Sequence, residues 1–132
     1  MMLYLDNAAT TLKKPLSVYA TLFKSTLFSG GNAGRGGHKM SMDAVRAIVD
    51  TQDLIAQLFN IKKAENVVFT QNATYALNTA ILGTMSNGGH IVVTEMDHNS
   101  VLRPACLSGN YTVVRADKSG YVHAEDVEKA VR

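Results

Sequence analysis

The chain has 132 residues, of which 46% are hydrophobic and 18% are charged, and this composition excludes a mostly disordered protein. Its formal net charge of +2 comes from scattered basic residues, which argues against nucleic acid as a partner. One cysteine excludes an internal disulfide, and no apolar run approaches the roughly 20 residues that cross a bilayer. Because the first residues also lack the order of a signal peptide, we expect a cytoplasmic chain without a membrane segment.

The first 37 residues combine an arm, a helix and a flexible loop. Met1–Leu5 is a short apolar run that fits a strand or an extended arm, and Asp6–Thr11 is small and polar, as in a loop. Pro15 suits the first turn of a helix, which we expect to continue to about Phe28. Ser29–Gly37 contains five glycines and predicts a loop whose backbone can approach a ligand closely.

Helices and strands alternate through the middle of the chain. Apolar residues recur with helical spacing over Ser41–Phe59, with Ser41 as the expected N-cap. Val67–Thr70 is a β-branched run that predicts a buried strand. A helix over Thr74–Met85 and a second buried strand over His90–Thr94 follow.

The last third continues the same alternation. We expect a helix over Asn99–Leu107 with Pro104 near its first turn, a third strand over Tyr111–Arg115, a turn at Asp117–Gly120 and a helix beginning at Ala124. The alternation predicts an α/β fold with a parallel or mostly parallel sheet. Three strands are few for such a sheet, so we expect an incomplete domain.

The segment from Val67 to Asn78 offers the clearest chemistry, because it runs strand, tight polar loop, helix. A helix N-terminus carries unpaired N–H groups and a partial positive charge, which together bind phosphate. The small Ala73 would let an anion reach the backbone, and the Thr74 hydroxyl could donate one more hydrogen bond. The alternative is that Thr74 only caps the helix through its own side chain.

Four blocks of sequence together resemble the class V aminotransferases and cysteine desulfurases, including selenocysteine lyase-like enzymes. They are Tyr4–Thr11, Gly31–His38, the Asn72-Ala73-Thr74…Asn78 loop and Glu95–Ser100. The resemblance implies a fold-type-I pyridoxal-phosphate enzyme that works as a homodimer. It further implies that residues 1–14 form an N-terminal arm and that residues 15–132 form the first part of an incomplete three-layer large domain, including an N-terminal helix that packs with the small domain.

The resemblance also assigns roles to individual residues. Ala73 and Thr74 would lie at the cofactor phosphate, and His98 would stack on the pyridine ring. A histidine suits this place because its flat ring can lie against the cofactor while its nitrogens exchange protons with the substrate. Four further residues would lie at the active-site mouth or the dimer interface: Asn7, Ala8, Arg35 and His38.

The sequence departs from the family at one position, and two of its residues are rejected for catalytic roles that the family has. Tyr75 stands where the family often has a glutamate, and it would pack near the cofactor or join the core. Lys39 follows a histidine, but it precedes the phosphate loop, so we reject it as the lysine that binds the cofactor covalently. Cys106 lies in an apolar helix turn and is predicted to be a small core residue instead of the sulfur-accepting nucleophile.

The resemblance therefore predicts two levels of function. The intact protein would remove sulfur or selenium from cysteine or selenocysteine, leave alanine and pass the sulfur to an acceptor protein, while this chain alone would be inactive. One alternative is another reaction of the same superfamily, such as transamination, hydrolysis of the kynureninase type or epimerisation. The other is a stand-alone α/β module that binds phosphate or a partner protein through the Thr74 helix. The histidines show no metal-ligand spacing, so no metal site is predicted.

Overall fold

The computed structural model describes residues 3–132, which form two compact units divided between Val68 and Phe69. Met1 and Met2, the start of the predicted arm, lie outside the described residues. The division into an arm of residues 1–14 and a domain of residues 15–132 stays a prediction. None of the helices in the described part of the chain has the length and apolar character that a membrane crossing requires.

The first unit consists mainly of two helices. Residues 3–15 form no helix or strand, and α1 then spans Leu16–Phe28, which confirms the predicted helix and its end. Pro15 lies at the N-cap, one position before the first turn in which the sequence predicts it. No residue of α1 is buried, and even its Phe23 is 69% exposed. The second helix, α2, spans Lys39–Leu58 and contacts a short 3-10 helix at Ala64–Asn66.

The start of α2 differs from the prediction. Its N-cap is His38, whose ring accepts a hydrogen bond from the Ser41 N–H, so Ser41 lies inside the helix. The Ser41 side chain is buried and its hydroxyl lies 2.6 Å from the Asn32 carbonyl and 2.9 Å from the Gly36 carbonyl. Ser41 therefore supplies the donor that these carbonyls of the glycine loop need.

The strand predicted at Val67–Thr70 is not formed. The Val67 N–H donates to Ala64 and its carbonyl accepts from the Gln52 side chain at 2.7 Å, so a helical turn and a side chain satisfy the groups that a strand would have paired. Val68 is 76% exposed, although its type favours burial. A β-branched run forms a strand only where a neighbouring strand accepts its hydrogen bonds, and among residues 3–132 this run has none.

The second unit carries the sheet. It contains α3 (Ala73–Met85), β1 (Ile91–Thr94), α4 (Asn99–Ser108), β2 (Tyr111–Val114) and α5 (Ala124–Ala130). The two strands are parallel, with Ile91 opposite Tyr111 and Thr94 opposite Val114. Because α4 connects them, the unit is a β-α-β arrangement, and the predicted α/β fold with a parallel sheet is confirmed.

The core of this unit lies where α4 packs on the strands. Val93 and Val114 are buried on the sheet, and Pro104 and Ala105 are buried on α4. Pro104 lies in the interior of α4 instead of its first turn. Cys106 is exposed, so its prediction as a core residue is wrong: Ala105 takes the inward position, and the next residue points away from the core. A hydrogen bond with Cys106 raises the pKa of the Tyr111 hydroxyl.

The turn that leads to α5 is built around Asp117. Its Oδ1 accepts hydrogen bonds from the Ser119 hydroxyl at 2.6 Å, the Ser119 N–H at 2.8 Å and the Tyr121 N–H at 3.0 Å. The bond from the Ser119 hydroxyl contributes most to lowering the pKa of Asp117 to about 2, with the two backbone donors next and His123 adding to it. The turn predicted at Asp117–Gly120 is confirmed.

Candidate functional site

The first turn of α3 is fixed by the residues that precede it. Asn72 is the N-cap, and its Oδ1 accepts a hydrogen bond from the Tyr75 N–H at 2.8 Å. The Thr70 hydroxyl donates to the Asn72 carbonyl at 2.9 Å, which fixes the loop before the helix. The alternative that Thr74 caps the helix is therefore wrong, and Thr74 is exposed. Tyr75 is 58% exposed and does not join the core.

The connection from β1 to α4 is a tight turn closed by Asp97. Its Oδ2 accepts hydrogen bonds from the Thr94 N–H at 2.7 Å and the Thr94 hydroxyl at 3.1 Å, while the Asp97 N–H donates to the Thr94 carbonyl. The next residue, His98, is the N-cap of α4, and its Nδ1 accepts from the Ser100 N–H at 3.2 Å. The turn thus fixes the position of His98 relative to the end of β1.

The hydrogen bonds of His98 also assign its neutral tautomer. Nδ1 accepts the Ser100 N–H and lies 2.9 Å from the Ser100 hydroxyl, so it carries no proton when the ring is neutral. The proton then lies on Nε2. His98 consequently presents one N–H that can be donated or exchanged, while its other nitrogen holds the helix cap.

A cavity of about 430 Å³ joins the starts of α3 and α4. This volume falls in the range of small-molecule sites, roughly 300–1,000 Å³. The residues that line it all have polar or charged side chains and come from the first turns of the two helices and the turns that follow: Thr74, Asn78, His98, Asn99, Ser100 and Arg103.

The electrostatics of this cavity favour an anion. Neither α3 nor α4 has an acidic residue in its first turn, although Asp97 directly precedes the N-cap of α4, so the partial positive charge at the start of α3 has no local carboxylate partner. Arg103 is the one charged side chain in the lining among the described residues. The start of α3 and a guanidinium together suit a phosphate or a carboxylate.

The structure brings together two of the three residues that the sequence predicts for the cofactor, since Ala73 does not line the cavity. Thr74 and His98 line the same cavity, although 24 positions separate them in the chain. Ala73 is the first residue of α3, where its missing bulk leaves the backbone N–H groups accessible.

The residues predicted for the mouth or the dimer interface all belong to the first unit. Asn7 and Ala8 are exposed in the irregular segment before α1, and Arg35 is exposed in the glycine loop. His38 is also exposed, and its Nδ1 accepts from the Ser41 N–H at 3.3 Å. His38 therefore has a local role as a helix cap, whatever else it contacts.

Lys39 is engaged on the surface. Its Nζ forms an ion pair with the Asp43 carboxylate at 3.0 Å, and its side chain is 89% exposed. No lysine of residues 3–132 lines the cavity.

Sequence reasoning missed the roles of several residues in the lining and the turns. Arg103 was seen only as one of the scattered basic residues, Ser100 and Asn78 only as members of matched blocks. A signal for Arg103 was its place four residues after Asn99, since residues four apart share one helix face. The signal for the turn before α4 is Asp97 itself, since an aspartate side chain commonly accepts backbone hydrogen bonds in a turn.

Comparison with known proteins places the chain in context. The family model described as aminotransferase class-V matches residues 3–132. The chain is 40% identical over 105 residues to a probable cysteine desulfurase of Aeropyrum pernix, covering 76% of this chain and 25% of that protein. It is 31% identical over 138 residues to the cysteine desulfurase IscS of Dictyoglomus turgidum, covering 98% of this chain and 34% of that protein.

A solved structure is similar in fold. A NifS-like protein superposes with a TM-score of 0.77 at 21% identity, over 95% of this chain and 35% of its own. The chain thus spans about a quarter to a third of the length of these proteins. The likeness in structure agrees with the α/β fold derived above.

Proposed function

Because the chain belongs to the class-V aminotransferase family, we propose that it forms the phosphate-binding and ring-stacking part of a pyridoxal-phosphate-dependent cysteine desulfurase. The reaction removes sulfur or selenium from cysteine or selenocysteine and leaves alanine. One observation carries the proposal: Thr74 and His98, at the starts of two neighbouring helices, line one cavity.

The cavity fits the chemistry of the cofactor. A phosphate dianion needs donors and positive charge, and the start of α3 offers backbone N–H groups, the Thr74 hydroxyl and an unneutralised helix dipole. The Arg103 guanidinium adds a full charge to the lining, for the phosphate or for the carboxylate of the amino-acid substrate. When bound, the cofactor supplies an electron sink for bond cleavage at the amino acid.

In this proposal the residues of the chain have separate tasks. Thr74 and the backbone of Ala73 bind the phosphate, and His98 lies on the cofactor ring. The Nε2–H of His98 is the proton that can be passed to the reacting group, because Nδ1 is held by Ser100. We assign no lysine of the described residues to the cofactor, since none of them lines the cavity.

The proposal extends to assembly. We propose a homo-oligomer in which Asn7, Ala8, Arg35 and His38 lie at the active-site mouth or the subunit interface, and a protein that accepts the sulfur. Large apolar side chains at the end of α2 support a partner surface there, since Leu58 is 77% and Phe59 is 69% exposed.

A matched pair of variants tests the phosphate site. A hydrogen bond to a charged group contributes about 1.5–3 kcal/mol, so Thr74→Val should weaken cofactor binding by the intact protein about tenfold or more. Thr74→Ser keeps the hydroxyl and should bind nearly as the parent does. Affinity is measured by visible absorption on titration with pyridoxal phosphate, and alanine formation from cysteine and selenocysteine tests the reaction. Equal affinity of the valine and serine variants would contradict the role of the hydroxyl, and absence of alanine with bound cofactor would indicate another reaction of the family.

A further inference from the structure

One backbone hydrogen bond is missing inside helix α4. Pro104 lies inside the helix and has no N–H, so the Ser100 carbonyl, four residues earlier, lacks its usual helical donor. Ser100 is only 7% exposed and Pro104 is fully buried, so water has little access to the carbonyl. A buried carbonyl without a partner is unfavourable, and this one needs a donor from outside its own helix.

Asn78 on α3 supplies that donor. Its Nδ2 lies 3.4 Å from the Ser100 carbonyl and 2.8 Å from the Thr74 carbonyl. The amide nitrogen of an asparagine carries two hydrogens, so one side chain can serve both carbonyls. The contact to Ser100 is at the long end of hydrogen-bond distances, whereas the contact to Thr74 has the usual length.

These contacts connect the two residues of the proposed cofactor site. Asn78 holds the carbonyl of Thr74 on one side and that of Ser100 on the other. Ser100 in turn holds Nδ1 of His98 through its N–H and its hydroxyl. A continuous set of hydrogen bonds therefore runs from the first turn of α3 to the histidine ring.

We infer that Asn78 is a positioning residue, which replaces the N–H missing at Pro104 and so fixes His98 relative to Thr74. The inference rests on the proposed function for its catalytic meaning, while the structural link stands on the contacts alone. Loss of Asn78 should let the first turn of α4 move away from α3 and change the position of the His98 ring.

A double-mutant cycle tests this link, because Pro104→Ala restores the missing N–H. In the intact protein, Asn78→Ala should weaken pyridoxal-phosphate affinity about fivefold or more and shift the ¹⁵N resonances of the His98 ring. In the Pro104→Ala background the same Asn78→Ala change should have a much smaller effect on both, since residue 104 then donates to the Ser100 carbonyl. Asn78→Asp keeps the shape but not the donor, and should resemble Asn78→Ala.

The two readouts separate the possible failures. Equal effects of Asn78→Ala in both backgrounds, or an aspartate variant that behaves as the parent, would overturn the inference. The ¹⁵N resonances need no cofactor, so they still decide the question if the parent protein does not bind pyridoxal phosphate. In that case the proposed function fails, while a Pro104-dependent shift of the His98 resonances would still support the positioning role.

Discussion

Replacement of His98 separates its two roles, as the cap of α4 and as the proposed proton carrier. His98→Ala removes the acceptor for the Ser100 N–H, and loss of an N-cap costs about 0.5–2 kcal/mol of stability. His98→Asn keeps an acceptor, because Oδ1 of asparagine, like Nδ1 of histidine, is bonded to Cγ. Asparagine is also among the best N-cap residues. Only the imidazole, with its exchangeable Nε2–H, is then lost.

The expected results differ between stability and turnover. Both variants should lower turnover of the intact enzyme about a hundredfold or more, the usual scale for a general acid–base group. Only His98→Ala should also lower the free energy of unfolding, by the amount expected for a lost cap. Alanine production measures turnover, and denaturant unfolding measures stability.

One outcome would refute the catalytic role. If His98→Asn turns over at a near-normal rate with the cofactor bound, His98 serves only as a helix cap. If both variants unfold as the parent does, the hydrogen bond from Ser100 contributes little, and the account of the α4 start is wrong.

Two further predictions concern local structure. Gly31→Ala should destabilise the start of α2, because an added Cβ would overlap the Met40 carbonyl and lie 2.6 Å from the Ser41 nitrogen. Gly37→Ala is the control, since its added Cβ meets nothing within 4 Å, and hydrogen exchange of the α2 amides measures the difference between the two variants. Because the pKa of Asp117 is lowered to about 2, the ionised carboxylate should stabilise the folded chain fully above about pH 4, and this contribution should be lost as the pH falls through about 2. Asp117→Asn should remove that part of the acid dependence of stability, and a carboxyl ¹³C titration with a midpoint near 4 would contradict the prediction.

The regular elements of the second unit could be predicted because their signals are local. Helix α3 begins within one residue of its predicted start, and both observed strands match their predicted runs to within one residue. Helical spacing and short β-branched runs act over few residues, so the sequence expresses them directly.

The errors arise where a partner or a geometric detail decides. Val67–Thr70 has the composition of a strand, but pairing depends on a second strand that sequence spacing cannot reveal. Cys106 has a core-like type, yet the register of α4 on the sheet turned Ala105 inward instead. Neither outcome follows from residue type alone.

The caps illustrate a further limit. In two helices the N-cap side chain that accepts a backbone N–H is a histidine, His38 and His98, although serine, asparagine and aspartate lead the preferences for this position. In each case Nδ1 accepts the backbone N–H that an asparagine oxygen would otherwise take. Propensity tables favour Ser41 as the cap of α2, and only the geometry shows that its hydroxyl is needed by the glycine loop.

The hydrogen bonds that cap α4 at His98 also bear on the orientation and the tautomer of its ring, which the resemblance to the family does not predict. A histidine that stacks on a cofactor needs a fixed ring plane and a known tautomer, and the same Ser100 contacts provide both. Because Ser100 is tied to α3 through Asn78, the orientation of the ring depends on a proline and an asparagine that do not touch it. The geometry of the proposed site therefore depends on the N-terminal cap of α4 and on the Asn78 contact to the Ser100 carbonyl as much as on the residues that would contact the cofactor.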